Sequence, residues 1–295
     1  MEWRTDWGLR ARMLLTMLLL GGVYVFFAVA LAVSLGAGPL VLLALFGGLS
    51  IVQLLYSDRL ALWSMGAEEV STEEYPELHA TVGRLAQQAD LPKPTVAVVD
   101  SQVPNAFATG KSKDSAVVAV HTGLLESLTD DQVEAVVAHE LAHIKNRDMQ
   151  VMTIASFLST LALIFVRWGW LFGGGGGRRR GGGGGIVVAI GVSILVWIVS
   201  FLLIRALSRY REYAADRGAA VISGKPVALA TALEAISGRM DNIPERDMRE
   251  ESEMNALFII PERGILSRLF STHPPTERRV ERLRDLAREM EREGV

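Results

Sequence analysis

The stretch VEAVVAHELAHIKNRDMQVMTIASFLSTLALIFV, Val133 to Val166, decides how the chain is read. Its first half carries two histidines and a glutamate at metal-site spacing, and its second half is apolar enough to lie in lipid. In the first half, His139-Glu140-Leu141-Ala142-His143 is an HExxH sequence. Residues four apart on a helix lie about 40° apart around its axis, so the two imidazoles project side by side toward one ion. Glu140 is rotated by about 100° from His139 and can reach a metal-bound water without ligating the metal. Val133, Val137, Leu141 and Ile144 form a stripe on the roughly opposite face, which predicts an amphipathic helix seated on a core. Thr129 is its expected N-cap, and Asp130 and Asp131 suit the first turn.

The second half belongs to a set of four apolar stretches. The first, residues 13–35, has no charged residue and exceeds the roughly 17-residue minimum for a bilayer span. Residues 40–55 form a second, shorter run after a GAGP turn, so 1–56 reads as a membrane hairpin. Its apolar run is too long for a signal-peptide core and a second follows at once, which favours an uncleaved anchor. Residues 149–172 and 186–204 form a second pair. Between them, 173–185 reads GGGGGRRRGGGGG, a flexible loop by composition. No strand–glycine loop–helix context makes it a nucleotide site.

Half of the 295 residues are hydrophobic and the mean hydropathy is positive, which fits a membrane protein better than a soluble one. A formal charge of -3 gives no reason to expect a nucleic-acid partner. The absence of cysteine excludes disulfides, thiolate metal sites and a cysteine nucleophile.

Two polar regions remain, 57–148 and 205–295. The first is expected to hold a helix over 75–89 and short strands at Thr95–Val99 and Ala116–Val120. The second should be mainly helical, with a possible short strand over 256–260 and a solvated charge run at 246–253. Arginines at 4, 10, 12, 59, 205, 209 and 211 flank the apolar stretches, and four crossings would put all of them on the cytoplasmic side. Arg178 to Arg180 argue the other way, leaving a re-entrant last pair as the alternative.

Two histidines leave a third protein ligand to find. The segment SRYREYAADRGAA, 208–220, offers Glu212 and Asp216 four apart on one helical face. One could ligate while the other accepts a hydrogen bond from a ligand histidine. Alternatively, both are surface carboxylates paired with Arg209, Arg211 or Arg217.

PNAFATG (104–110), HTGLLESL, VVAHELAHIKNRD, SRYREYAAD and STHPPTERRVERL occur in an order that resembles the HtpX family of membrane metallopeptidases, within the gluzincins. The resemblance implies a mainly α-helical membrane protein with four transmembrane helices and a zincin-type α+β metalloprotease domain. It implies one zinc ion per chain on His139, His143 and Glu212, with Glu140 as catalytic base and Asp216 behind a histidine. Asn105, Ala106, Phe107 and Ala108 match a segment flanking the substrate cleft. His273 matches a possible oxyanion stabiliser, although its sequence context also suits a surface helix start. Arg279 matches a family arginine for which ion pairing is an equal reading. His79 and His121 match no metal position and are expected to be ordinary surface or satisfied polar residues.

These features imply a zinc endopeptidase of the cell membrane, multi-pass, with its active site and both termini cytoplasmic. Its partners would be the bilayer and, as the resemblance implies, misfolded or damaged membrane-protein or peptide substrates, with no nucleotide. A CAAX-type prenyl-peptide protease and a non-catalytic zinc-containing scaffold are the alternatives. An intramembrane protease is disfavoured because Lys145, Arg147 and Asp148 follow the motif at once. On this reading, IKNRD is a headgroup-level spacer, and His143 to Met149 would span about 9 Å of helix.

Overall fold

The computed structural model describes residues 7–35, 39–156, 159, 162, 182–240 and 274–293. They fall into two compact units. One is built mainly from 57–150 and 208–295, the other from 10–56 and 151–207.

The second unit is helical. Helix α1 runs Trp7–Leu35 and α2 runs Pro39–Ser64, nine residues past the apolar run that defines it in sequence. Nothing in SDRLALWS breaks a helix, and the stop comes at Gly66, whose φ of 63° is the left-handed conformation that glycine adopts without strain. The third apolar stretch is helical over 148–156 (α6). Most of its remainder, with 173–181, lies outside the described residues. Helix α7 runs unbroken from Gly182 to Ser223. Residues 182–185, expected to belong to the loop, are therefore helical, because extending an established helix costs far less than starting one.

The packing in this unit inverts the soluble pattern. Leu20, Phe27 and Leu31 of α1 are buried against Ala155, Ala162, Ala189, Val196 and Leu207, a set rich in small residues. Leu14, Leu18, Phe26, Val33, Val187 and Leu202 all lie more than half exposed. Large apolar residues facing outward around an interior that includes three alanines is an arrangement that lipid, not water, stabilises. Two interior hydroxyls bond within their own helices, Thr16 to the Arg12 carbonyl at 2.8 Å and Ser193 to that of Ala189 at 2.7 Å, as suits a medium without water. Among the described residues two segments are long and apolar enough to cross a bilayer, within Ala11–Val33 and Val187–Ser223. The expected four crossings are thus described as a membrane protein with at least these two candidates.

The first unit holds a four-stranded sheet in the order β1-β2-β4-β3: β1 Ala67–Glu69, β2 Thr95–Val99, β3 Ala106–Thr109 and β4 Val117–His121. The central pair β2 and β4 is parallel, and β1 and β3 join antiparallel at the two edges. Strand β2 lies where its β-branched run predicts, and β4 is shifted by one residue. The edge strands escape such a reading because AEE and AFAT are too short to alternate. Helix α3, Pro76–Gln88, buries Leu78, Val82, Leu85 and Ala86 at helical spacing. The expected strand at 256–260 and the charge run at 246–253 lie outside the described residues.

Helix α5, Asp130–Asn146, starts at Thr129, whose backbone N–H donates to the Gln132 side chain at 3.0 Å. It is less amphipathic than its apolar stripe suggests. Every residue from Ala135 to Ile144 is buried, and Val133 is only partly so. Helices α3 and α8 (Pro226–Met240) and strand β3 pack around it, and alanines at 135, 138 and 142 permit the close approach. The metal motif therefore lies inside the protein core.

At its C-terminus, Arg147 adopts φ 59° and ψ 33°, which ends the helix and turns the chain into α6. The expected straight spacer is not there. Ile144 and Asp148 are each 1% exposed while Arg147 between them is exposed, so IKNRD is a bend whose two ends turn inward. Its carboxylate is drawn inward by partners that sequence spacing does not reveal.

Helix α4, Thr122–Ser127, is seated by Gly123. A Cβ there would lie 2.3 Å from the Gln102 carbonyl oxygen, so only glycine fits. His79 is the ordinary surface residue expected, with Nε2 bonded to the Val70 carbonyl and Nδ1 to Lys93. His121 is different. It is fully buried with its ring edge toward Phe107, and burial pushes its pKa down to about 4.

Candidate metal centre

Burial of α5 on all sides fixes where its histidines can point. His139 and His143 are stacked edge-to-face with ring centroids 4.7 Å apart, and their Nε2 atoms lie 3.1 Å apart. Glu212, on α7, brings Oε2 to 3.6 Å from His139 Nε2 and Oε1 to 3.6 Å from His143 Nε2. One ligand atom from each of the three falls within 4.8 Å of the others, and all three residues are buried. Two imidazole nitrogens and a carboxylate form a donor set that suits a tetrahedral divalent ion.

The other ring nitrogens explain why both Nε2 atoms converge. His139 Nδ1 lies 3.1 Å from Asp216 Oδ1, and His143 Nδ1 lies 2.7 Å from Asp148 Oδ2. His143 Nδ1–H donates to Asp148, and Asp216 holds its carboxylate within ion-pair distance of His139 Nδ1, an arrangement that turns both Nε2 atoms toward a shared ion. Burial opposes charge on His139, but the Asp216 and Glu212 carboxylates, which act as acceptors for the imidazolium, outweigh it and lift the pKa to about 9. A dication taking up Nε2 must release that proton.

Two arginines complete the cluster. Arg279, on α9 (Thr276–Glu293), is 1% exposed. It grips Asp216 through Nε–Oδ2 at 3.0 Å and Nη2–Oδ1 at 2.7 Å, while Nη1 reaches Glu212 Oε2 at 3.1 Å. Arg211 Nε lies 3.2 Å from Asp148 Oδ1. Burial would raise the Asp148 pKa, but Arg211 and His143 together hold it below the usual carboxylate range.

Glu140 is 4% exposed and takes no place among the three ligating side chains. Burial pushes its pKa up, although the neighbouring histidines and a hydrogen bond from the Ala108 backbone N–H work against this. Strand β3 thus touches the motif directly. The His121 N–H donates to the Asn105 carbonyl at 2.9 Å, and this register turns the backbone of residues 107 and 109 toward β4. Antiparallel alternation then turns the backbone groups of Ala106 and Ala108 to the open edge. Phe107 points its side chain into the core, 2% exposed.

The structure therefore brings His139, His143, Glu212, Glu140, Asp216, Arg279 and the 105–108 segment together. His273 lies outside the described residues. Sequence reasoning missed Asp148 and Arg211. Asp148 sits five residues beyond His143, a separation that a continuing helix would turn away, and only the left-handed Arg147 brings it back.

Comparison with known proteins fits this cluster. The profile of peptidase family M48 matches residues 72–287, which include every residue named in the cluster. The chain belongs to peptidase family M48. Curated M48-type relatives include Protease HtpX homolog 2 of Methanosarcina acetivorans, 53% identical over 98% of this chain and 99% of its own. Protease HtpX homolog of Moorella thermoacetica is also 53% identical, over 97% of both. The crystal structure of S. mikatae Ste24p shares the fold at a TM-score of 0.57 and 19% identity, across 94% of this chain and 66% of that one. This M48 protein is accordingly a membrane metalloprotease.

Proposed function

We propose that this M48 protein is an endopeptidase carrying one zinc ion per chain on His139, His143 and Glu212, and that it cleaves misfolded or damaged membrane proteins. The observation that carries the reading is the convergence of two Nε2 atoms and one carboxylate beside a buried glutamate that does not ligate. A purely structural site closes with a fourth protein ligand and needs no base. Among the described residues the cluster has three ligands and keeps Glu140 beside them, which favours an enzyme over a scaffold.

Zinc, when bound, supplies Lewis acidity toward the scissile carbonyl and lowers the pKa of water. Glu140 accepts the proton of the attacking water and passes it to the leaving amine. The outer backbone groups of Ala106 and the outer carbonyl of Ala108 pair with an extended substrate segment and fix its register. Membrane anchoring raises the local concentration of substrates that share the bilayer. Relatives of this sequence bear the name HtpX, and the family resemblance supplies the quality-control role.

The chelator-stripped protein should lose cleavage of a membrane-protein substrate, and one equivalent of zinc per chain should restore it. Cleavage that persists in metal-free protein would refute the reading. We further propose four crossings, with the active site and both termini cytoplasmic, on the strength of the arginines flanking the apolar runs. The chain lacks cysteine, so Gly177→Cys should react with an impermeant maleimide from outside the cell membrane. Labelling from the cytoplasmic side alone would point to a re-entrant pair instead.

A further inference from the structure

Each ligand histidine is backed by a carboxylate, and each carboxylate by an arginine. Behind His139 stand Asp216 and Arg279. Behind His143 stand Asp148 and Arg211, at 2.7 Å and 3.2 Å. The two sets have the same chemistry but different construction. Asp216 comes from the same helix as Glu212. Asp148 comes from the helix that follows the metal motif, and its reach back to His143 depends on the left-handed Arg147. Arg211 immediately precedes Glu212 on α7. One short α7 segment thus contributes the cation behind His143, the third ligand, and the carboxylate behind His139.

We propose that Asp148, held by Arg211, is the positioning residue for His143: it keeps the proton on Nδ1 and so presents the Nε2 lone pair to the metal. Two observations and one chemical argument support this. Asp148 is 1% exposed, so its contacts are not exchanged with water. Its two carboxylate oxygens are divided, Oδ2 against His143 Nδ1 at hydrogen-bond distance and Oδ1 toward the Arg211 cation at ion-pair distance. A buried imidazole that lost this acceptor could place its proton on Nε2 and would then offer no lone pair to an ion. The inference rests on the zinc reading above.

The test uses the full-length chain in detergent and measures zinc affinity by chelator competition. Asp148→Ala should weaken zinc binding about 10- to 100-fold, the range typical for a lost partner behind a ligand histidine. Asp148→Asn should lose less, because the amide oxygen still accepts from Nδ1–H. Arg211→Met should weaken binding on its own but add little in the Asp148→Asn background, since it acts through the carboxylate. Cobalt-loaded Asp148→Ala should show shifted visible bands relative to the wild type, a signature that a purely structural role would not move.

If Asp148→Ala does not fold, Asp148→Asn, Arg211→Met and their double variant decide the matter by the same non-additivity. Zinc affinity within about threefold of wild type in folded Asp148 variants would overturn the proposal. So would full additivity of the two substitutions. His143→Ala separates the two readings. Loss of zinc there, with unchanged affinity in the Asp148 variants, overturns this inference alone. Undiminished zinc in His143→Ala overturns both.

Discussion

Glu140→Gln should leave zinc bound and lower kcat by about 10²- to 10⁴-fold, the range expected when a general base is removed. Glutamine keeps the shape of the side chain and an oxygen that can accept the Ala108 N–H now directed at the Glu140 carboxylate. The strand β3 contact therefore survives, and the core around α5 is not asked to collapse around a cavity. Glutamine cannot take a proton from water, so the loss falls on the chemical step. Because Glu140 is not among the three ligating residues, metal content should stay at one equivalent. Two measurements on one preparation decide the result: zinc per chain and cleavage of a membrane-protein substrate. Zinc retained with cleavage lost assigns the base. Unchanged cleavage would remove Glu140 from the mechanism. The buried setting makes the substitution tolerable in a second respect, since Glu140 sits where burial already disfavours its charge. A neutral isostere relieves that cost, so a fall in activity cannot be ascribed to a loosened fold.

The parts of this site that were legible in sequence are those written in a single helical period. HExxH declares its own geometry, because two residues four apart must share a face. Glu212 and Asp216 share a face for the same reason, although spacing alone could not say which of them ligates. The structure divides the roles: Glu212 faces both Nε2 atoms, and Asp216 faces His139 Nδ1. Arg279 could not be placed from spacing, since its carboxylates lie on another helix and meet it only through tertiary packing. Asp148 was hidden by a backbone conformation. A non-glycine residue in the left-handed region is uncommon, and nothing in KNRD announces that Arg147 adopts it. Without that turn, Asp148 reads as the last charged residue of a straight helical spacer. In the fold, β-branched runs revealed the two central strands, where burial demands continuous apolar sequence. The edge strands are defined by pairing with those centres rather than by any pattern of their own.

Arg279→Met should produce the largest loss of stability of any single substitution in the cluster, about 3–5 kcal/mol in the zinc-free protein. The guanidinium is 1% exposed and is the shared cation of two buried carboxylates, Asp216 and Glu212. Methionine can fill much of the volume, so the cost is electrostatic: two anions are left in the interior with their main counter-charge gone. Zinc alters the sum. A dication on Glu212 neutralises one of those carboxylates, so the loss should be smaller in the zinc-loaded protein than in the stripped one. Arg279→Lys should fall between, because it keeps the charge but not the two-pronged contact with Asp216. Adding Asp216→Asn to Arg279→Met should recover part of the stability by removing one stranded charge, at the expense of the acceptor behind His139. The unfolding midpoint, followed with and without zinc, checks each step, and a shift of roughly 6 °C or more is expected for the zinc-free single variant. A midpoint within about 2 °C of wild type in metal-free Arg279→Met would mean that water or another cation already screens these carboxylates. The ion pair would then hold little of the fold, and the parallel between the two His–Asp–Arg sets would be geometric rather than energetic.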